Sequence, residues 1–229
     1  NALCQLKENP KVIIGRDTRP SGEKISKAII QGLINGGAEV FNVGIVPTSA
    51  ISYLTKKLGL DYGIVITASH NPKEYNGIKV FGNSGVKITD AEEIKIESKL
   101  KSEISSPGGK VLNLSAEVKA YEEFLKNSIK TNLNGLKILL DCANGASSKI
   151  APKIFKMLGA DVKAINIKGE INNNCGATHI ENLIANMEGF DLGFSFDGDS
   201  DRVICVDKNK NIFDGDKIIY LLSLYKKKN

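Results

Sequence analysis

The feature that most constrains the fold is an alternation of short apolar strands and amphipathic helices that occurs twice along the chain. In the first copy the predicted strands are residues 11–15, 40–43 and 61–67, and the predicted helices are residues 25–33 and 47–58. In the second copy the strands are residues 137–140, 162–165 and 192–196, and the helices are residues 148–158 and 181–187. Such alternation is typical of right-handed crossovers in a mostly parallel sheet.

The two copies also resemble each other in sequence. Gly-Gly-Ala-Glu-Val at 36–40 corresponds to Leu-Gly-Ala-Asp-Val at 158–162, and residues 61–66 correspond to residues 191–196. Each copy contains enough elements for a core of its own, so the repeat indicates duplicated domains instead of a solenoid. We therefore predict the α/β class, with two similar domains, each a mostly parallel mixed sheet flanked by helices.

A polar stretch separates the two copies. Asp90, with Glu93 three residues on, predicts the start of one helix by a capping box, and a second helix is predicted at 116–129. Pro107 and the glycines after it separate these helices. The turn-forming residues 132–135 then place the boundary between the domains near residue 133.

Composition excludes several classes of protein. The net charge of +5 includes three lysines at 226–228, and aromatic residues are only 6% with no Trp. The sequence therefore lacks the basic stripe with stacking aromatic rings that is typical of nucleic-acid-binding proteins. The apolar runs are far shorter than the roughly 20 residues of a membrane span, so we predict no membrane partner. The four cysteines are far apart and form no Cys-x-x-Cys pair, which favours a reducing cytoplasm over a disulfide or zinc scaffold.

An acidic loop follows the last predicted strand of the second copy. Asp197, Asp199 and Asp201 alternate with Gly and Ser, and short carboxylates at this spacing can converge on a hard cation such as Mg²⁺. The alternative is a turn whose carboxylates cap backbone amides, but three carboxylates so close together repel one another without a positive partner. An EF-hand is excluded because Arg202 and Lys208 stand where that loop needs Gly and Glu.

A serine loop occupies the equivalent position in the first copy. Ser69 is followed by His70, but no Gly-x-Ser-x-Gly elbow is present, so Ser69 is either a nucleophile or a turn cap. Lys79 lies on the strand that leaves this loop and either returns to the same site or is an exposed strand lysine. Arg202 offers a planar fork for a phosphate or for one of the aspartates.

Two further loops are polar. We interpret Asp17 as structural and leave Arg16 and Arg19 open between phosphate binding and loop support. Thr178 is predicted to be a helix N-cap. His179 and Cys175 are weaker candidates for catalysis.

Three segments in this order resemble the α-D-phosphohexomutase family. They are Thr-Ala-Ser-His-Asn-Pro at 67–72, Asn-Gly-Ile-Lys at 76–79 and Asp-Gly-Asp-Ser-Asp-Arg at 197–202. The segment 172–183 resembles the bacterial phosphoglucosamine mutase branch of that family. The resemblance covers nearly the whole chain, although Ser200 stands where the family often has Ala.

This resemblance implies a site and a reaction. Ser69 would carry a phosphoryl group, and a phosphoserine oxygen with Asp197, Asp199 and Asp201 would bind Mg²⁺. His70, Lys79 and Arg202 would transfer protons and stabilise charge. The phosphosugar substrate would be glucosamine 6-phosphate, converted to glucosamine 1-phosphate through a 1,6-bisphosphate for cell-wall precursor synthesis.

The resemblance also implies how the chain is divided. Residues 1–132 would be a phosphoserine-loop domain without its first strand, 133–216 a metal-binding-loop domain, and 217–229 the start of a third domain. Third and fourth domains of the same chain would be its partners, so the chain alone is expected to be inactive. Alternatives are a phosphomannomutase or phosphoglucomutase, a magnesium-dependent phosphatase with Asp197 as nucleophile, or a metal-binding fragment without turnover.

Overall fold

A computed structural model describes residues 2–100 and 108–228, and the chain divides into two compact units. The first unit contains Asn1–Ala68 and Glu74–Glu123, and the second contains Ser69–Lys73 and Phe124–Asn229. The short segment Ser69–Lys73 thus belongs to the second unit although the residues on both sides of it belong to the first. Pro107, the predicted break between two helices, lies outside the described residues.

The first unit is built around a five-stranded mixed sheet. Its elements are α1 (Ala2–Leu6), β1 (Lys11–Arg16), α2 (Pro20–Asn35), β2 (Glu39–Ile45), α3 (Thr48–Lys57), β3 (Tyr62–Ile66), β4 (Ile78–Gly82), α4 (Asp90–Ser98), β5 (Lys110–Asn113), a 3-10 helix (Ser115–Glu117) and α5 (Val118–Asn127), whose end enters the second unit. The strand order is β4-β3-β1-β2-β5. Among the described strands of this sheet, β4 alone is antiparallel to its neighbour.

The second unit has a sheet of similar construction. Its further elements are β6 (Lys137–Asp141), α6 (Ser147–Met157), β7 (Asp161–Ile165), α7 (Ile180–Ala185), β8 (Leu192–Phe196), β9 (Val203–Asp207), β10 (Ile212–Phe213) and α8 (Gly215–Lys228). The strand order is β10-β9-β8-β6-β7, with β6, β7 and β8 parallel and the other pairs antiparallel.

The two units repeat one topology. The order β4-β3-β1-β2 in the first corresponds to β9-β8-β6-β7 in the second. The same hydrogen bond occurs at the first residue of both central strands. Asp61 Oδ2 accepts from the Lys11 amide at 2.8 Å, and Asp191 Oδ2 accepts from the Lys137 amide at 2.8 Å. The predicted duplication of an α/β domain with a mostly parallel mixed sheet is confirmed.

The central strands form the cores because helices cover both faces of each sheet. Val12, Ile13 and Ile14 of β1 are completely buried, and Leu139 and Leu140 of β6 are as well. A continuous apolar run is what a central parallel strand requires, since both of its faces are packed. Within the described ranges, no helix has the length and apolar character needed to cross a membrane.

The structure corrects two predicted N-caps, and α2 begins at Pro20 instead of residue 25. The N-cap of α4 is Thr89, not Asp90, because the Thr89 side chain accepts from the Glu92 amide and the Glu92 carboxylate accepts from the Thr89 amide. This is a capping box one residue earlier than predicted. Thr178 is not an N-cap, since α7 is preceded by His179, which makes no side-chain capping bond.

Candidate functional site

The candidate site lies in the second unit, at the carboxyl ends of its parallel strands. Asp197 follows β8 directly, the loop from residue 142 follows β6, and a longer loop from residue 166 follows β7. The segment Ser69–Lys73 joins them in the same unit. Loops at the carboxyl ends of parallel strands are where open α/β sheets bind ligands.

Three carboxylates converge in the acidic loop. Ligand oxygens of Asp197, Asp199 and Asp201 lie within 4.8 Å of one another, with the first two side chains buried and the third exposed. Burial, and next the charge of Asp199, raise the pKa of Asp197. An oxygen-only donor set with this much buried negative charge fits a hard divalent cation such as Mg²⁺.

Ser69 contacts this cluster directly. Its Oγ donates a hydrogen bond to Asp197 Oδ2 at 2.8 Å. The Ser69 backbone is left-handed, with φ of 55°, a conformation that is uncommon for a residue other than glycine. The serine of one predicted motif and the carboxylates of another therefore lie side by side.

Arg202 connects the serine, the histidine and the aspartate. Its Nε donates to Asp197 Oδ2 at 3.1 Å, and its backbone amide donates to Asp197 Oδ1 at 3.2 Å. Its Nη2 donates to Ser69 Oγ and makes a close contact with His70 Nδ1. The guanidinium is thus paired with an aspartate, one of the two roles left open by the sequence, and it also reaches the serine hydroxyl.

The predicted site residues fall in two groups. Ser69, His70, Arg202 and the three aspartates come together in the second unit. Lys79 lies in the first unit on β4, partly buried and in register with Val65 of β3.

The polar loop after β1 is held together by a buried network. Asp17 accepts from Arg19 Nε at 3.0 Å, from the Arg19 amide at 3.0 Å and from Thr67 Oγ1 at 2.7 Å. Burial raises the pKa of the Asp17 carboxyl. Arg19 also donates to the carbonyl of Tyr75 at 2.9 Å. These contacts agree with a structural role for Asp17 and give Arg19 one too.

Two buried residues around the site were not identified from the sequence. Asp141, at the end of β6, accepts from the amides of Ala143 at 3.0 Å and Gly176 at 2.9 Å, which ties two loops together. Asn172 donates from Nδ2 to the carbonyls of Ser69 at 2.8 Å and Asn71 at 3.0 Å. The polar residue ending the apolar run of β6 is a sequence signal for Asp141, whereas nothing local distinguishes Asn172 from its two asparagine neighbours.

The fold and these loops define a tandem α/β/α protein, with a serine loop from one repeat and an acidic loop from the other. The family model described as phosphoglucomutase/phosphomannomutase, alpha/beta/alpha domain I, matches residues 1–106, and that for alpha/beta/alpha domain II matches residues 119–211. The chain belongs to the phosphoglucomutase/phosphomannomutase family, the α-D-phosphohexomutases that its motifs resemble.

Individual relatives agree with this assignment. A phosphoglucosamine mutase of Clostridium kluyveri is 46% identical over 231 residues, which cover 95% of this chain and 51% of the relative. One from Acetivibrio thermocellus is 44% identical over 236 residues, covering 98% and 53%. A crystal structure of a phosphoglucomutase/phosphomannomutase family protein from Burkholderia thailandensis is 25% identical with a TM-score of 0.80, covering 92% of this chain and 49% of that one. The chain therefore spans about half the length of the curated relatives it matches.

Proposed function

We propose that the protein to which this chain belongs is a phosphoglucosamine mutase, an isomerase that interconverts glucosamine 6-phosphate and glucosamine 1-phosphate. The observation that carries the proposal is the hydrogen bond from Ser69 Oγ to Asp197 Oδ2 within a cluster of three carboxylates. It is supported by relatives of that name that are 44–46% identical to this chain. The reaction supplies amino-sugar phosphate for cell-wall precursors.

Ser69 would be the phosphoryl carrier. In the forward direction, the sugar O1 attacks the phosphorus, the bond to Ser69 Oγ breaks, and the O1 proton passes to a nearby base. The resulting 1,6-bisphosphate reorients, and its 6-phosphoryl group returns to Ser69 to release glucosamine 1-phosphate. Phosphoryl transfer depends mainly on positioning and charge stabilisation, which suits a serine held against polar partners.

The aspartates would hold a cation together with a phosphoserine oxygen. Bound to Asp197, Asp199 and Asp201, Mg²⁺ would withdraw charge from the phosphoryl group and so lower the barrier to attack. The aspartates would supply the negative charge that retains the ion, and two of them, Asp197 and Asp199, are buried.

Arg202, His70 and Lys79 are the proposed groups for charge stabilisation and proton transfer. Arg202 supports its assignment by donating to both Asp197 and Ser69 Oγ, so its charge lies beside the atom that leaves. His70 contacts the same guanidinium through Nδ1. Lys79 is assigned from the family motif and its place on β4.

The proposed domain organisation follows the family. Residues 1–132 form the phosphoserine-loop domain, 133–216 the metal-binding-loop domain and 217–229 the start of a third domain. Third and fourth domains of the same protein would choose and orient the sugar, so this chain alone is expected to be inactive. The proposed location is the cytoplasm, since the four cysteines are unpaired thiols in the structure, and no nucleic-acid or membrane partner is proposed.

The test is a mutase assay on the protein containing this chain. With glucosamine 6-phosphate, a trace of the 1,6-bisphosphate and Mg²⁺, we expect glucosamine 1-phosphate to form faster than the corresponding glucose or mannose product. We expect Ser69→Ala to abolish turnover and the phosphoryl label found by intact-mass analysis. Label that persists in Ser69→Ala would overturn the mutase in favour of a phosphatase acting through Asp197, and faster turnover of mannose or glucose phosphate would reassign the substrate.

A further inference from the structure

Asn172 is a nearly buried side chain to which the proposed reaction gives no role. It lies in the loop after β7, is 8% exposed and has a left-handed backbone with φ of 58°. Its Nδ2 donates to two carbonyls of the same loop, that of Ser69 at 2.8 Å and that of Asn71 at 3.0 Å. We call this pair of hydrogen bonds from Asn172 to the serine loop the clamp.

The loop that carries Asn172 is itself held by hydrogen bonds to the loop after β6. The backbone amide of Asn172 donates to the carbonyl of Ala143 at 3.0 Å, and Asn144 Nδ2 donates to the carbonyl of Glu170 at 3.0 Å. The loop that presents Asn172 is therefore fastened to the loop after β6. A side chain on a fastened loop can fix its target because its own position is restrained.

Packing closes the space around the Ser69 carbonyl. A Cβ added to Gly198 would lie 2.7 Å from the Ser69 carbonyl oxygen and 2.9 Å from Asn172 Nδ2, closer than real Cβ atoms approach. The oxygen is thus enclosed between the backbone of the acidic loop and the Asn172 amide. Lys73 adds an ion pair with Glu170, half exposed and therefore weak.

The segment that Asn172 binds contains a residue with an unfavourable backbone conformation, Ser69. A left-handed backbone at a residue with a side chain persists only when its surroundings hold it, and such strain is found at reactive positions. At Ser69 this conformation accompanies the hydrogen bond from Oγ to Asp197. The carboxamide of Asn172 has two N–H donors on one nitrogen, one for each carbonyl.

We propose that Asn172 is a positioning residue for Ser69. By holding the carbonyls of Ser69 and Asn71, its amide fixes the left-handed backbone that directs Ser69 Oγ at Asp197. The conformational effect stands by itself, and its consequence for phosphoryl transfer rests on the proposed function.

Two glycine variants separate the clamp from a general effect on the loop. Asn172→Gly keeps the positive φ and deletes the amide, and Asn174→Gly is its matched control because Asn174 has φ of 50°, is exposed and donates to Asn173. Hydrogen bonding deshields a carbonyl carbon, so we expect the ¹³C resonances of the Ser69 and Asn71 carbonyls to move upfield in Asn172→Gly alone. Unchanged resonances in Asn172→Gly would overturn the clamp.

The kinetic consequence is measured in the protein containing this chain. Misplacing a reacting group by about 1 Å costs up to roughly 100-fold in rate, so we expect Asn172→Gly to lower kcat by about 10- to 100-fold with KM unchanged. Asn174→Gly should match the unaltered protein. Carbonyl shifts without a fall in kcat would overturn the positioning role, whereas an unaltered protein without mutase activity would overturn the proposed function and leave the carbonyl result standing.

Discussion

The Asp17 carboxylate and the Arg19 guanidinium form a completely buried ion pair at 3.0 Å. The same two side chains bind residues on both sides of the segment Ser69–Lys73, because Asp17 accepts from Thr67 and Arg19 donates to the carbonyl of Tyr75. The pair therefore fixes where the chain leaves and re-enters the first unit around Ser69–Lys73.

Breaking this pair should strongly destabilise the first unit. Asp17→Ala leaves the Arg19 charge buried without its carboxylate, which costs about 3–5 kcal/mol in comparable cases. Urea unfolding measures the loss. The matched control is Glu23→Ala, which breaks the exposed Glu23–Lys27 pair of α2 and should leave the midpoint unchanged. Equal effects of the two variants would contradict the prediction.

Asp199→Asn should weaken Mg²⁺ binding at least about tenfold, because it removes one of the three negative charges that attract the ion. Folding should be little affected, since the substitution keeps the shape of the side chain and relieves repulsion between buried carboxylates. Calorimetric titration with Mg²⁺ measures the first effect and urea unfolding the second. Asp161→Asn, at the exposed start of β7, is the control. Unchanged Mg²⁺ affinity in Asp199→Asn would remove Asp199 from the metal site.

Gly198→Ala should damage activity more than stability. The new Cβ meets the Ser69 carbonyl and the Asn172 amide, so the contacts between the acidic loop, Ser69 and Asn172 must change. We expect kcat in the mutase assay to fall about 100-fold, and the free energy of unfolding to fall by about 1–3 kcal/mol, as for other overpacked sites. Gly215→Ala, where an added Cβ meets nothing within 4 Å, is the control and should leave both unchanged. Full activity in Gly198→Ala would contradict the prediction that the close contact between residue 198 and the Ser69 carbonyl matters for catalysis.

Stability should fall in alkaline solution because of a buried thiol. Burial raises the pKa of Cys142 from 9.0 to about 12. Between these two values the folded chain keeps a proton that the unfolded chain releases, so the free energy of unfolding decreases as pH rises. Urea unfolding at pH 8 and pH 10 should show this decrease, and Cys142→Ala should make it smaller. An identical decrease in the variant would assign it to other groups.

Periodicity predicted most of the fold because the central strands are unbroken apolar runs and the helices have apolar faces. It missed α1, β5, β9 and β10, and of these α1 and β10, with five and two residues, are too short to show a period. It placed the N-cap of α4 a residue late because Thr89 and Asp90 are both good N-caps and are each followed three residues later by a glutamate.

The site was predictable in part. Alternate aspartates within one loop are a local pattern, so the acidic cluster follows from spacing and ligand chemistry. The contact between Ser69 and Asp197 joins residues 128 positions apart, which no local spacing specifies. It was expected from the equivalent positions of the two loops in the repeats and from the family motifs. Asn172 acts through a tertiary contact 103 positions away, and an amide in a run of three asparagines gives no sign of it.

The assignment of Ser69–Lys73 to the second unit has a consequence for the order in which the protein is made. Ser69 leaves the ribosome early, but its partners Asn172, Asp197 and Arg202 follow 103, 128 and 133 residues later. Domains generally fold as units during synthesis, the N-terminal one first. The Ser69 hydroxyl therefore lacks these partners on a nascent chain, and its hydrogen bonds form only after the later repeat has been made and has folded.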